Sequence, residues 1–368
     1  MTARKLVPAI VLLLCLSTTA YANAGTPLMW VSAFHLVLGN LFLGILEGLL
    51  LVWWFRAGAL RAILSMIAAN YFSAWLGGYL LFLGLAKSPG INLSNFWFWF
   101  WLFWIAAFAI TCALEFPFVF AALWKRGQGF GRIVLACLLV HVVSYLLLTA
   151  LYRSASNMTL VTEFRLVPIQ EMNAEGPYRL FFITTDGKQV VESGLSGLSP
   201  HPVFSIPSGR QPSRLVARPN EKGRYDLYLI YDPCGPQPPY EMIQQDFACQ
   251  APLDYRLSNY GEWDPEHDFR PDLYVPTLEE PSSWEFDLGF WPVEGILATN
   301  RATGVTSSWG METPMVQWYV RNAVQLDRDR LVFQLGRDEI CLLDPDTRRI
   351  ALIARGFGPL VARKCPSE

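Results

Sequence analysis

Two glutamates, one asparagine and one histidine interrupt long apolar stretches of this sequence: Glu47, Asn70, Glu115 and His141. Carboxylate and imidazole groups exchange protons and bind metal ions. A charged side chain at the centre of a membrane costs about 2.5–3.5 kcal/mol on insertion scales, so such a group normally faces protein or water. These four residues are therefore the first candidates for chemistry.

The four positions share a spacing from basic residues. Each lies nine or ten positions from one: Glu47 from Arg56, Asn70 from Arg61, Glu115 from Lys125, and His141 from Arg132. At 1.5 Å per helical residue, this spacing corresponds to about 14 Å, near the middle of a bilayer. The spacing predicts an intramembrane polar layer to which each of four helices contributes one side chain.

Small residues beside the layer indicate which helix faces point inward. Gly44 and Gly48 surround Glu47 in a GxxxG pattern, which lets another helix approach closely. Cys137 and Ser144 share one helical face with His141. Three interpretations remain open: hydrogen bonding that fixes the register of the helices, a layer that handles protons or ions, and a carboxylate–carboxylate–histidine metal centre. The metal is unknown, and no helical metal-binding motif is present.

Four segments are long and apolar enough to span a bilayer, which requires about 20 helical residues. They cover about 29–54, 62–86, 95–123 and 133–152. The first 24 residues have a basic start, a short apolar stretch and a small-residue cleavage site, which is typical of a signal peptide. We therefore predict a signal peptide at 1–24 and a four-helix transmembrane domain at 25–152.

Loop charges predict the orientation of these spans. The loops at 55–61 and 124–132 contain five basic residues, and the loop at 87–94 contains only Lys87. Because cytoplasmic loops carry the excess of Lys and Arg, the first two loops are expected in the cytoplasm. Residues 153–368 would then lie on the periplasmic or extracytoplasmic side of an inner membrane.

The second half of the chain has a different composition from the first. Residues 1–152 contain eight basic residues and two acids, which leaves 21 basic and 29 acidic residues for 153–368. That half contains runs typical of β-strands. The stretch "RLFFITTDGKQVVESGL" contains two strand-like runs on either side of an Asp186-Gly187 turn, and "RYDLYLIYDPC" contains one strand. The fold class expected is membrane α followed by an exported, soluble, all-β domain.

A stretch near the end of the chain, "DRLVFQLGRDEICLLDPDTRRIALIARGFGPLV", contains three further strand-like runs with turns between them. These roughly 35 residues resemble a β-propeller blade, which has about 40–45 residues. The resemblance implies a partial propeller-like domain. Because no clean repeat is visible, a β-sandwich remains the alternative.

Four cysteines lie in the predicted exported half: Cys234, Cys249, Cys341 and Cys365. An even number in an oxidising compartment predicts two disulfides. Three pairings are possible. We expect Cys234–Cys249 and Cys341–Cys365, because each closes a short local loop.

An acidic and aromatic segment lies between Glu262 and Asp287, with nine acids and one base. Its candidate recognition residues are Trp263, Asp264, Glu266, Asp268 and Trp284. The segment is interpreted as a solvated surface loop, or as a surface for a cationic or peptide partner. A calcium loop is disfavoured, because Phe269 occupies the position where an EF-hand requires glycine.

Signals for catalysis are weak, because the sequence contains no GxSxG, HExxH or P-loop motif. No catalytic residue is predicted, the cofactor is unknown, and no basic patch indicates nucleic-acid binding. We expect an integral membrane protein whose exported β-rich domain binds a protein partner or ligand. The alternatives are a proton- or ion-coupled transport protein that uses the polar layer, and a membrane enzyme. The oligomeric state is open.

The loop charges generate a topology prediction. An alkaline phosphatase fused to the C-terminus should be active, because that enzyme requires the oxidising side of the membrane, and a fluorescent protein that matures only in the cytoplasm should be dark at the same position. The opposite pattern would place residues 153–368 in the cytoplasm.

Overall fold

The computed structural model describes residues 25–85, 90–124, 127–174, 176–198, 200–231, 240–252, 275–278 and 283–365. They form two compact units. The helical unit ends at Ser156 and also includes residues 313–315, and the β-rich unit contains the rest. The predicted signal peptide at 1–24 lies outside the described residues.

Four helices of the helical unit are long and apolar enough to cross a membrane. They are α1 (Pro27–Phe55), α2 (Ala59–Leu85), α3 (Phe96–Leu123) and α4 (Phe130–Ala155). The four predicted spans are confirmed as helices, and their ends differ from the predicted ends by at most three residues. α1 contains a π-helical turn at His35–Gly39.

Local sequence explains where α1 begins and ends. Thr26 precedes the helix, and its hydroxyl accepts a hydrogen bond from the Met29 N–H at 3.3 Å. Pro27 occupies the first turn, where no backbone donor is needed. Arg56 ends the helix in the left-handed conformation, with φ of 56°. Glu47 consequently lies well inside a continuous helix.

Apolar side chains from all four helices pack into one core toward the α1–α2 and α3–α4 connections. We call this core the apolar cluster. It includes Leu51 and Phe55 of α1, Ala62 and Met66 of α2, Val119 and Leu123 of α3, and Ile133 and Ala136 of α4.

The β-rich unit contains seventeen strands among the described residues. The strands β1 to β17 are, in chain order, Arg165–Leu166, Tyr178–Ile183, Gln189–Ser193, His201–Ser205, Pro212–Pro219, Tyr225–Tyr231, Tyr240–Ala248, Trp284–Leu288, Ile296–Asn300, Thr306–Trp309, Met311–Glu312, Gln317–Trp318, Val320–Gln325, Leu331–Leu335, Glu339–Asp344, Arg349–Arg355 and Phe357–Arg363. Short helical turns lie at Thr159–Thr162, Ile169–Met172, Pro292–Glu294 and Asp327–Asp329.

These strands form several small sheets, with the orders β17-β2-β3-β4, β1-β16-β15-β14-β13, β5-β6-β7, β10-β9-β8 and β11-β12. The pairing is antiparallel except for β1 with β16.

Strand β2 shows why the sheets stack. Leu180 and Phe182 pack into one core with β14 and β15, whereas Phe181 and Ile183 pack into another with β6. We call the sheet β17-β2-β3-β4 the central sheet. Because neighbouring side chains on a strand point to opposite faces, both faces of this sheet are buried.

The predicted hairpin around Asp186-Gly187 is confirmed, since β2 and β3 pair antiparallel on either side of it. The blade-like stretch also forms consecutive antiparallel strands, β14 to β16. The following strand, β17, leaves that sheet and pairs with β2. Gly358 permits this path: its φ is +59°, and a Cβ there would lie 2.7 Å from the Cα of Arg214.

The predicted disulfide pairing is wrong. The structure joins Cys249 to Cys365, with their Cα atoms 5.1 Å apart. The cause is the path of β17, whose last residue, Arg363, pairs with Gln250 after the end of β7 and so brings Cys365 to Cys249. Cys341 is a free, buried thiol in β15, and burial raises its pKa well above the ordinary value. Cys234 lies outside the described residues.

The disulfide generates a stability prediction. Cys249→Ser should lower the free energy of unfolding of the β-rich unit by about 4–5 kcal/mol, because the bridge closes a loop of 116 residues and the chain-entropy model assigns about 4.7 kcal/mol to a 100-residue loop. Denaturant titration measures the loss. Mass spectrometry of non-reduced peptides should link Cys249 to Cys365, and a Cys234–Cys249 peptide would contradict the structure.

Candidate functional site

The polar layer lies inside the bundle, where each helix contributes one of its members. Glu47 (α1), Asn70 (α2), Glu115 (α3) and His141 (α4) are each at most 6% exposed. Ligand-type atoms of Glu47, Glu115 and His141 all lie within 4.8 Å of one another. The structure therefore brings together the four residues that the sequence singles out at separate positions.

Two glycines of α1 make this convergence possible. Gly44 and Gly48 face α2, and a Cβ at either position would lie 2.5 Å from the Cα of Ile67 or Ile63, respectively. No side chain fits at that distance, so the backbones of α1 and α2 are in direct contact. Since Glu47 lies between the two glycines, it is held against α2 and opposite Asn70.

Hydrogen bonds from α2 hold both carboxylates in place. The Asn70 amide donates to Glu47 Oε2 at 2.5 Å and to the Met66 carbonyl at 3.0 Å. The Ser73 hydroxyl donates to Glu115 Oε1 at 2.5 Å. Ser73 is a member of the site that sequence reasoning missed. Its position one turn after Asn70, on the same face of α2, was the available signal.

The ring of His141 is oriented by the backbone of its own helix. Nδ1 lies 2.6 Å from the Cys137 carbonyl, and a carbonyl oxygen accepts but never donates. Nδ1 must therefore carry a hydrogen. Nε2 lies 3.1 Å from Glu115 Oε2. In a neutral ring of this tautomer, Nε2 is an acceptor that faces another acceptor, so a proton or a metal ion must lie between the two atoms.

Charge compensation inside the bundle is incomplete. The sequence places no Lys or Arg within eight residues of any layer member, so the imidazole is the one basic group among the layer's three ionisable side chains. Two carboxylates beside one imidazole retain at least one excess negative charge unless protons or a cation are added. Buried charge without a partner is strongly unfavourable. The arrangement is therefore suited to taking up a cation.

Two thiols lie on the other side of the histidine. The Cys137 thiol is 3.7 Å from His141 Nδ1 and 3.6 Å from the Cys112 carbonyl. Cys112, Cys137 and His141 form a second group of possible ligands within 4.8 Å. In this second group, however, the Nδ1 atom of His141 already donates a hydrogen bond to the Cys137 carbonyl.

A series of polar side chains leads from the layer along α4 toward Ser156. We call His141, Tyr145, Thr149 and Tyr152 the α4 polar series, since they recur every three or four residues on one face. Each later member has a partner on another helix: Tyr145 contacts Thr111 at 2.8 Å, Trp104 donates to Thr149 at 3.2 Å, and Tyr152 contacts His35 at 2.6 Å. Toward the opposite end, the layer meets the apolar cluster.

Of the predicted acidic and aromatic surface, Trp263, Asp264, Glu266 and Asp268 lie outside the described residues. Trp284 begins β8 and belongs to the packing of the β-rich unit. Its indole N–H donates to Asp346 at 3.0 Å, and its ring lies 5.3 Å from that of Trp309.

The sequence matches no known protein family and no curated protein.

The α1–α2 contact generates a prediction about stability. Gly44→Ala should destabilise the bundle by about 1–3 kcal/mol, because the added methyl group overpacks a backbone contact. Gly78→Ala on α2 is the matched control, since a Cβ there meets nothing within 4 Å. Thermal melting in detergent should show a lower midpoint for Gly44→Ala alone. Equal midpoints would show that α1 and α2 do not approach this closely.

Proposed function

We propose that this protein is an integral inner-membrane protein that takes up a cation in its four-helix bundle and couples that cation to transport across the membrane. Its β-rich domain would lie on the extracytoplasmic side. One observation carries the proposal: Glu47, Glu115 and His141 bring their ligand atoms within 4.8 Å of one another at a buried position.

The charge balance of the layer supports a functional role over a structural one. Interhelical hydrogen bonds in membranes contribute on average about 0.6 kcal/mol. Neutral side chains such as Asn and Gln would provide such bonds without introducing ionisable groups. Two carboxylates placed together add repulsion that hydrogen bonding alone does not require, so a bound cation explains the choice of residues better.

The surroundings of the layer support access from one end. The α4 polar series provides hydroxyl groups between the layer and the end of α4, and its partners Trp104 and His35 add ring nitrogens. The apolar cluster separates the layer from the opposite connections. An ion would enter along the polar series. Passage through the apolar cluster would require the helices to move, as in alternating access.

Loop charge supports the proposed orientation, because the α1–α2 and α3–α4 connections contain the basic residues expected on the cytoplasmic side. The Cys249–Cys365 disulfide supports an oxidising compartment for the β-rich unit. The stacked sheets of the β-rich unit fit a partial propeller or a sandwich. A second role, recognition of a protein partner or ligand by this unit, is favoured by the acidic and aromatic segment between Glu262 and Asp287.

Ion flux tests the transport proposal. The purified full-length protein is reconstituted into liposomes that contain a pH-sensitive dye or, separately, a Zn²⁺-sensitive dye, and an inward gradient of the matching ion is imposed. At least one ion should enter faster than in protein-free liposomes. Glu47→Gln should abolish the excess flux, because the amide keeps the shape of the side chain but cannot ionise.

Glu163→Gln is the matched control for the flux experiment, because Glu163 is an exposed residue of the β-rich unit that pairs with Arg348 at 3.1 Å. It should leave the flux unchanged. Absence of excess flux, or equal flux through the unsubstituted protein and Glu47→Gln, would reject cation transport.

A further inference from the structure

We propose that Glu47, Glu115 and His141 bind one divalent first-row transition-metal ion, of the Zn²⁺, Fe²⁺ or Mn²⁺ class. This inference rests on the proposed cation-binding role of the layer and names the cation. It does not require that the metal ion be transported.

The charge of the three side chains matches a divalent ion. Two carboxylates and a neutral imidazole carry a charge of −2, and one divalent cation cancels it. A single proton shared between His141 Nε2 and Glu115 leaves one excess negative charge, with no Lys or Arg nearby in the sequence to offset it. A second proton on Glu47 would also neutralise the three side chains, but a divalent ion does so as a single species that all three side chains can bind at once.

The spacing of the ligand atoms is close to what one ion requires. Zinc binds histidine nitrogen and carboxylate oxygen at about 2.0–2.2 Å in a tetrahedral arrangement, so two ligands of the same ion lie about 3.3–3.6 Å apart. The distance of 3.1 Å between His141 Nε2 and Glu115 Oε2 is already close to this separation. The limit of 4.8 Å that encloses all three atoms asks for a shift of at most about 1 Å on binding.

The neighbouring hydrogen bonds are those that metal-binding side chains normally have. A histidine that binds a metal through one nitrogen usually donates its other N–H to a carbonyl or carboxylate. His141 does so through Nδ1 to the Cys137 carbonyl at 2.6 Å, which leaves Nε2 directed at Glu115. Ser73 and Asn70 each donate to one carboxylate oxygen and thereby fix the orientation of the group.

The donor types indicate the class of ion. Calcium takes six to eight oxygen ligands, and magnesium retains several waters and prefers oxygen. An imidazole nitrogen beside two carboxylates suits zinc, iron or manganese. The thiol group is the weaker alternative, because a metal bound by Cys112, Cys137 and Nδ1 would have to displace the hydrogen bond from Nδ1 to the Cys137 carbonyl.

Metal binding is tested directly on the full-length protein in detergent. After chelation, the protein is titrated with Co²⁺ as a spectroscopic probe and with Zn²⁺ in competition. We expect one Co²⁺ per chain, visible d–d absorption bands, and no thiolate charge-transfer band. His141→Gln and Glu47→Gln should each weaken binding by more than about 100-fold, since loss of a residue that only orients a ligand already costs about 10–100-fold.

Three further variants separate the possible explanations. Ser73→Ala should weaken Co²⁺ binding by about 10–100-fold, because Glu115 loses its orienting donor. His35→Gln, which removes a different histidine from the same bundle, should leave the affinity unchanged. The double variant Cys112→Ser/Cys137→Ser should also retain binding. Melting midpoints of all variants show whether the bundle is folded, and Glu47→Gln keeps the inference testable if His141→Gln is unfolded.

Each outcome decides the inference. Absence of stoichiometric Co²⁺ or Zn²⁺ binding by the unsubstituted protein would overturn it, even if proton flux through liposomes persists. Binding that is lost in the cysteine variant and kept in Glu47→Gln would also overturn it, in favour of the thiols. Binding that depends on His141 and Glu47 supports the inference, even if no ion crosses the membrane and the transport proposal fails.

Discussion

Glu47 and Glu115 place two carboxylates in one apolar interior, and much of the helical unit can be understood from the need to accommodate them. Without water, each carboxylate requires a donor or a counter-charge. Asn70 and Ser73 provide donors from a single face of α2. His141 provides the basic partner, and its own ring is fixed by the Cys137 carbonyl. The close packing of α1 on α2 at Gly44 and Gly48 is what brings these groups within reach.

The same helices differ in character on the two sides of the polar layer. On the side of the α1–α2 and α3–α4 connections, the interior is filled by tightly packed apolar side chains. On the other side, hydroxyl, phenol and indole groups link α4 to its neighbours. This asymmetry means that hydration of the layer from the two sides would require very different rearrangements. It also gives the bundle a direction, which a purely structural set of hydrogen bonds would not need.

The sequence was sufficient to predict the helices, the strand-rich half and the members of the polar layer, because these depend on local patterns. Apolar length predicts a span, and helical periodicity places Cys137, His141 and Ser144 on one face. The sequence places Ser73 on the same face of α2 as Asn70 but does not give its hydrogen bond to Glu115, because a serine hydroxyl in a helix often bonds to its own backbone. Whether the Ser73 hydroxyl can also reach Glu115 depends on the position of α3.

The cysteine pairing failed for a related reason. Nearness along the chain predicts Cys341–Cys365, but β17 crosses to the central sheet and ends beside β7. Cys341 remains buried in β15, which belongs to the sheet that β17 leaves. Only the long-range pairing of strands determines this, and a single sequence contains little information on it.

The pairing of β17 with β2 also has a consequence for how the β-rich unit acquires its structure. β2 comes near the start of that unit and β17 near the end of the described chain, yet Leu180 of β2 lies opposite Val361 of β17. The central sheet therefore cannot be completed until almost the whole unit has been synthesised. Contacts between such distant segments slow folding. During that interval the edge of β2 that later pairs with β17 has no partner strand. Open strand edges of this kind are prone to aggregate. Formation of the Cys249–Cys365 bridge would mark the end of this vulnerable period.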